Sequence, residues 1–231
     1  MIPFGSTFTT GAGQTDNGPL VVSTLTPPQN AANVAVNTTI VATFNKTINP
    51  LSVTAASFRV SYPGVSSVTG SYTINGATAS FAPASPLPGD TTISVQISGV
   101  QDLSGIANNF VAASFHTAAV ADTDPPTVVS VTPTDGSTDV GLNSTVVVTF
   151  SESLNPATVT NNTFALFANG SRFGSISSVS PDARTVTLNG GTLPAASTVT
   201  LAITGSVKDL ASNPLADFTA SFSTTGSLDT S

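Results

Sequence analysis

Four carboxylates carry the residue types most able to do chemistry: Asp122 and Asp124 in VADTDPP, Glu152 in TFSES, and Asp209 in VKDLAS. Carboxylate oxygens are hard donors, and several of them drawn together suit a divalent cation, calcium above all. They lie far apart in sequence, so they meet only if a fold brings a linker and two distant loops to one place. Other chemistries have less footing. His116, in SFHTA, is the only histidine, so a nucleophile activated by a base has one candidate base and no partner beside it. Hydrolysis by paired carboxylates needs two acids across a cleft. Outside these four the acids sit mostly in turn-like stretches, and the chain reads as a non-enzyme.

The composition says what kind of scaffold must position them. The 231-residue chain is 39% hydrophobic but only 7% charged, with five basic residues and a net charge of −7. So little basic charge gives a nucleic acid no electrostatic grip. The polar surface must come from Thr, Ser and Asn, which suit strands and turns. Cysteine is absent, which excludes disulfides and thiolate metal sites. No apolar run reaches the roughly 20 residues of a spanning helix, so membrane insertion is not expected. The N-terminus has neither the basic nor the apolar region of a signal peptide.

The chain repeats itself. Thr26 and Thr132, Phe44 and Phe150, Pro50 and Pro156, and Phe58 and Phe164 are each 106 positions apart. The register slips by one residue before VQDLSG and VKDLAS, marking a loop that tolerates insertion. Phe115 and Phe222 close the two copies, and Phe8, in STFTTGAGQTDNGP, reads as the strand end of a further, preceding copy. The expected organisation is therefore a tail and linker over 1–18, one domain over 19–118, a linker over 119–124, a second domain over 125–225 and a tail over 226–231.

Within each copy the hydrophobic period is two. Ile40, Ala42 and Phe44 alternate with Thr39, Val41 and Thr43, as Val146, Val148 and Phe150 do in the second copy. Alternation of this kind means a strand with one face on a core. Pro, Gly, Asn and Asp break these runs at intervals of about 8–12 residues, the spacing of a sandwich. Asn49-Pro50 and Asn155-Pro156 each predict a single helical turn, with Asn as N-cap and Pro at the first position. The prediction is all-β: two tandem seven-stranded β-sandwiches.

T-P-x-D-G-x-x-x-V, T-F-S-E-x-x-N-P-A-T-V, L-P, V-K-D-L-A-x-N and a closing F-S-T-T then carry a resemblance across nearly the whole chain. They resemble the bacterial Ig-like domain of surface-layer and large exported repeat proteins. The second copy matches better, since the first has Asn45-Lys46 in place of Ser-Glu. The resemblance implies Greek-key Ig-like sandwiches, an extracellular or cell-surface location, and a spacer or adhesive role.

In such a sandwich the loop after the second strand and the loop before the last strand lie at the pole where the first strand enters. Glu152 and Asp209 would sit in those two loops, and Asp122 and Asp124 in the linker entering that pole. Two readings follow: the four surround a calcium ion at the inter-domain junction, or Asp209 holds a turn and DTDPP is a stiff polar linker. In the first copy Asp16 and Asp102 match Asp122 and Asp209, but Gly18 and Lys46 replace Asp124 and Glu152. A site at the second junction should thus be crippled or absent at the first. No cofactor is required by this reading, and calcium is the one ion it allows.

The expected function is a structural spacer or stalk in an exported bacterial repeat protein, such as an adhesin or surface-layer component, whose partners are neighbouring Ig-like repeats. The alternative is an accessory module that binds a glycan or a cell-surface protein, with Tyr62 and Tyr72 as its candidate sugar-stacking rings.

Overall fold

The structure, a computed structural model, describes residues 18–226. The strand end expected around Phe8 lies outside the described residues.

Seven strands build the first unit: β1 (Val22–Thr26), β2 (Ile40–Phe44), β3 (Phe58–Ser61), β4 (Gly70–Asn75), β5 (Thr78–Pro83), β6 (Thr92–Ile97) and β7 (Val111–His116). They form two antiparallel sheets ordered β1-β2-β5-β4 and β3-β6-β7. This is the strand order of a constant-type Ig sandwich. Alternation does the folding: Ile40, Phe58, Phe81, Ile93 and Ile97 are fully enclosed between the sheets, while intervening residues face outward.

The second unit repeats the plan with β8 (Val128–Thr132), β9 (Val146–Phe150), β10 (Phe164–Ala168), β11 (Ser171–Phe173), β12 (Ser175–Val179), β13 (Thr185–Asn189), β14 (Thr198–Ile203) and β15 (Phe218–Ser223). Its sheets are ordered β12-β13-β9-β8 and β11-β10-β14-β15. The expected seven strands are thus eight here, and a turn explains the difference. Asn169 and Gly170 both adopt positive φ, 50° and 75°, as a two-residue type I′ hairpin requires, and they fold β11 back onto β10. At the same place the first unit has Pro63-Gly64. Only a single bridge, Tyr62 to Val65, forms around it, because proline at that position sets a different turn and removes a donor.

Both predicted helical turns exist as 3-10 turns, Pro50–Ser52 and Pro156–Thr158, each capped by an Asn side chain that accepts from the amide two residues on.

The units touch through more than their linker. The Pro156–Thr158 turn lies against β2 and β5 of the first sandwich. The amide of Thr39 donates to the carbonyl of Leu210 at 2.6 Å, a backbone bond between the two units. The outward side chains beneath this contact are Thr39, Val41 and Ser80, only 7%, 1% and 6% exposed. At the same places on the second unit, Thr145 is exposed and Val147 and Thr187 are half-buried. Stiffness at the joint was expected from Pro125-Pro126; direct sheet-to-turn contact adds to it.

Candidate metal centre

The loop after β9 carries Glu152, and the loop between β14 and β15 carries Asp209. A one-residue bridge between Leu154 and Asp209 ties these loops side by side, so the two carboxylates are neighbours by construction. The linker supplies the third. Asn37, at the end of the first sandwich, grips the backbone of Asp122 from both sides: its Nδ2 donates to the Asp122 carbonyl at 2.8 Å, and its Oδ1 accepts from the Asp122 amide at 3.0 Å.

The result is a set of three. Oxygens of Asp122, Glu152 and Asp209 all lie within 4.8 Å of one another. Asp209 is fully buried, and the other two are half-buried on the wall of a cleft of about 560 Å³ between the units. The fourth expected ligand, Asp124, is not in the set. Its backbone serves instead: the amide donates to Asp122 Oδ1 at 3.0 Å, and the carbonyl accepts from Asn213 Nδ2 at 3.2 Å. The proline that follows Asp124 keeps its backbone extended, and its side chain is exposed.

Asp209 does hold a turn as well. Its Oδ1 accepts from the Asn213 amide at 2.8 Å and its Oδ2 from Asn213 Nδ2 at 2.7 Å. The turn reading of Asp209 therefore holds, and each of its oxygens keeps capacity for a further partner.

Three acids this close repel unless something neutral or positive intervenes. The Glu152 carboxyl is pushed up to about 7, by burial first and then by the charge of Asp122, a hydrogen bond with it, and the charge of Asp209; Arg184 opposes this weakly. Asp209 is also raised, chiefly by burial, although the Asn213 bonds pull it back. Arg184, whose guanidinium donates to the Ser151 carbonyl at 3.0 Å, is the nearby base that lowers Glu152.

The first unit has the same pole with another solution. Asp102, in the place of Asp209, is 2% exposed and accepts from the amides of Ser104 and Ile106, both at 2.9 Å. Lys46, in the place of Glu152, brings its ammonium to 3.5 Å from Asp102 Oδ2 and to 2.5 Å from the Gly18 carbonyl. An ammonium bound by a buried carboxylate and a linker carbonyl stands where the second unit gathers acids. At the position expected to be crippled, the chain supplies a covalent cation of its own.

The remaining sequence candidates fall elsewhere. His116 ends β7, exposed, with its backbone engaged by Val34. Tyr72 is half-buried. Its ring packs 5.0 Å from that of Phe81, and its hydroxyl donates to the Phe58 carbonyl at 2.7 Å. Tyr62 packs against the same core. Sequence reasoning missed Asn37, Asn213 and Arg184, three uncharged or distant-looking residues that no carboxylate count could find.

No curated protein matches the chain. Among solved structures, the N-terminal part of the bacterial surface-layer protein SbsC is 14% identical with a TM-score of 0.36, over 88% of this chain and 44% of that one. L,D-transpeptidase 1 of Mycobacterium tuberculosis is 24% identical with a TM-score of 0.30, over 56% of this chain and 46% of that one. The chain spans about half the length, or less, of these structures, and at such scores neither likeness carries a functional reading. The bacterial Ig-like domain profile is different in kind, for it matches residues 16–117 and again 122–224. Taken with the two sandwiches, those matches make this chain a member of the bacterial Ig-like domain family, in two tandem copies.

Proposed function

We propose that the chain is a non-catalytic structural segment of a bacterial cell-surface protein, a spacer whose two sandwiches are locked at a fixed angle. The observation that carries this reading is the joint itself: a backbone bond from Thr39 to Leu210, the two-point grip of Asn37 on Asp122, and a turn packed on the β2–β5 face. Independent domains on a flexible tether have no use for such contacts. Membership of the bacterial Ig-like family supports the cell-surface setting.

The carboxylates of Asp122, Glu152 and Asp209 are the ligands assigned to a calcium ion at this joint. Two things support that assignment. The donors are all hard oxygens, and the repeat places the Lys46 ammonium at the corresponding position beside Asp102. Calcium there would bind linker and second sandwich together, with Asn37 extending the tie to the first.

The test is a thermal melt of the full chain in EDTA and in millimolar calcium, with Glu152→Ala alongside, and small-angle scattering in both buffers. Extracellular calcium sites bind with Kd of about 10⁻⁴–10⁻³ M, so 10 mM calcium is expected to raise Tm by a few degrees. Glu152→Ala should lose that gain. Superimposed melts remove the calcium. Scattering from a freely hinged pair removes the spacer.

A further inference from the structure

Among the described residues, each unit presents both halves of the joint but engages only one. The first sandwich offers the accepting face, the outer side of β2 and β5, where Thr39, Val41 and Ser80 are covered. The second offers the inserting pole, its Pro156–Thr158 turn and the Leu210 carbonyl. The unused halves are legible by repeat position. Leu51 corresponds to Ala157 and Leu103 to Leu210, and these two leucines are 89% and 71% exposed at the entry pole of the first sandwich. At the other end, Thr145, Val147 and Thr187 repeat Thr39, Val41 and Ser80 on the outer side of β9 and β13, without a cover.

Two leucines at such exposure, on adjoining loops of one pole, form an apolar knob more pronounced than the Ala157 and Leu210 pair that already docks. We propose that this knob and the β9–β13 face are the two halves of one docking surface, and that its occupant is a second copy of this chain, joined head to tail. The argument is continuity with the interface inside the chain: same pole, same sheet face, same register of residues. Because the two halves differ, the contact is heterologous and does not close on itself, so copies add in a row. This inference rests on the structural reading above but not on calcium.

Sedimentation velocity of the full chain, in EDTA and from about 10 µM to about 1 mM, a range that reveals weak interfaces, is the test. The expected result is a mass that climbs with concentration through dimer, trimer and beyond. Leu51→Asp with Leu103→Asp should leave the chain monomeric, and so should Val147→Asp. Thr187→Lys, on the same face, is the second probe should Val147→Asp fail to fold. Mixing the knob variant with the face variant should restore assembly but stop it at one-to-one pairs, because only one intact knob and one intact face remain. A chain that stays monomeric across the range, or oligomers that ignore both variants, would overturn the proposal. If assembly fails while scattering still shows a rigid pair, docking alone is lost. A freely hinged pair would instead remove the structural reading beneath it.

Discussion

The entry poles of the two sandwiches solve one electrostatic problem in two ways. At the first, a buried carboxylate faces the ammonium of Lys46. At the second, three carboxylates crowd together, with a single guanidinium, that of Arg184, weakly opposing them. The backbone is nearly the same in both: Asp102 and Asp209 each head a tight turn and each bridge to the loop after the second strand. What differs is whether the positive charge is part of the chain. A lysine is present under all conditions, whereas an ion or a proton comes and goes with the surroundings.

Removing the built-in charge should have the largest effect. Lys46→Met leaves Asp102 buried without its counter-ion, and breaking such a pair costs up to about 3–5 kcal/mol. Urea denaturation should show that loss, and adding Asp102→Asn should recover part of it. An undiminished midpoint would mean the two poles are not different in kind.

The reverse exchange comes next. Glu152→Lys rebuilds the first pole in the second unit, placing an ammonium beside Asp122 and Asp209. In EDTA it should stabilise the chain by about 1–3 kcal/mol, the scale of a hydrogen bond to a charged group, and it should abolish any response to calcium. Equal melting with and without the substitution would break the analogy.

Acidity offers a third, smaller handle. Glu152 sits at about 7 in the folded chain against an ordinary value of 4.5. The folded state therefore holds the proton more tightly, and its contribution to stability is complete below the unfolded value and lost as pH rises through 7. Melts in EDTA should give a higher Tm at pH 5 than at pH 8. Glu152→Gln should flatten that difference, and calcium should shrink it by competing for the same oxygens. A Tm that rises with pH across this interval would contradict the crowding.

The smallest change is expected from Asn37→Ala, which removes two linker hydrogen bonds on the first sandwich. Net losses of about 1 kcal/mol are typical of such bonds. Its sharper readout is the angle between units, seen as a broader scattering envelope while each core still melts as before.

Much of this was legible before any coordinates. Period-two alternation in Ile40–Phe44 and its repeat gave the strands, because a half-buried strand cannot be written otherwise. The repeat register also brought Asp122, Glu152 and Asp209 to one pole, since Ig topology decides which loops share an end. Three things were not legible. Asp124 looked equivalent to Asp122, and only the fold shows it exposed while Asp122 is half-buried. The extra strand β11 hung on Asn169-Gly170 against Pro63-Gly64, a difference of turn chemistry inside otherwise parallel stretches. The packing of the Pro156–Thr158 turn on β2 and β5 left no periodic trace, because Thr39, Val41 and Ser80 are ordinary outward residues whose burial comes from a neighbour and not from their own sheet.

The sideways seat of one unit on the other also has a mechanical meaning. A pull along the chain would load the Thr39–Leu210 bond and the Asn37 grip before it reached the interlocked strands of either core. A few hydrogen bonds and a patch of turn yield at lower force than a whole sandwich. The joint would therefore peel open first, lengthening the segment while both cores stay folded, and could reseat when the tension falls. Such a segment would behave as a spring with a soft first stage, and the charge at its hinge would set how soft that stage is.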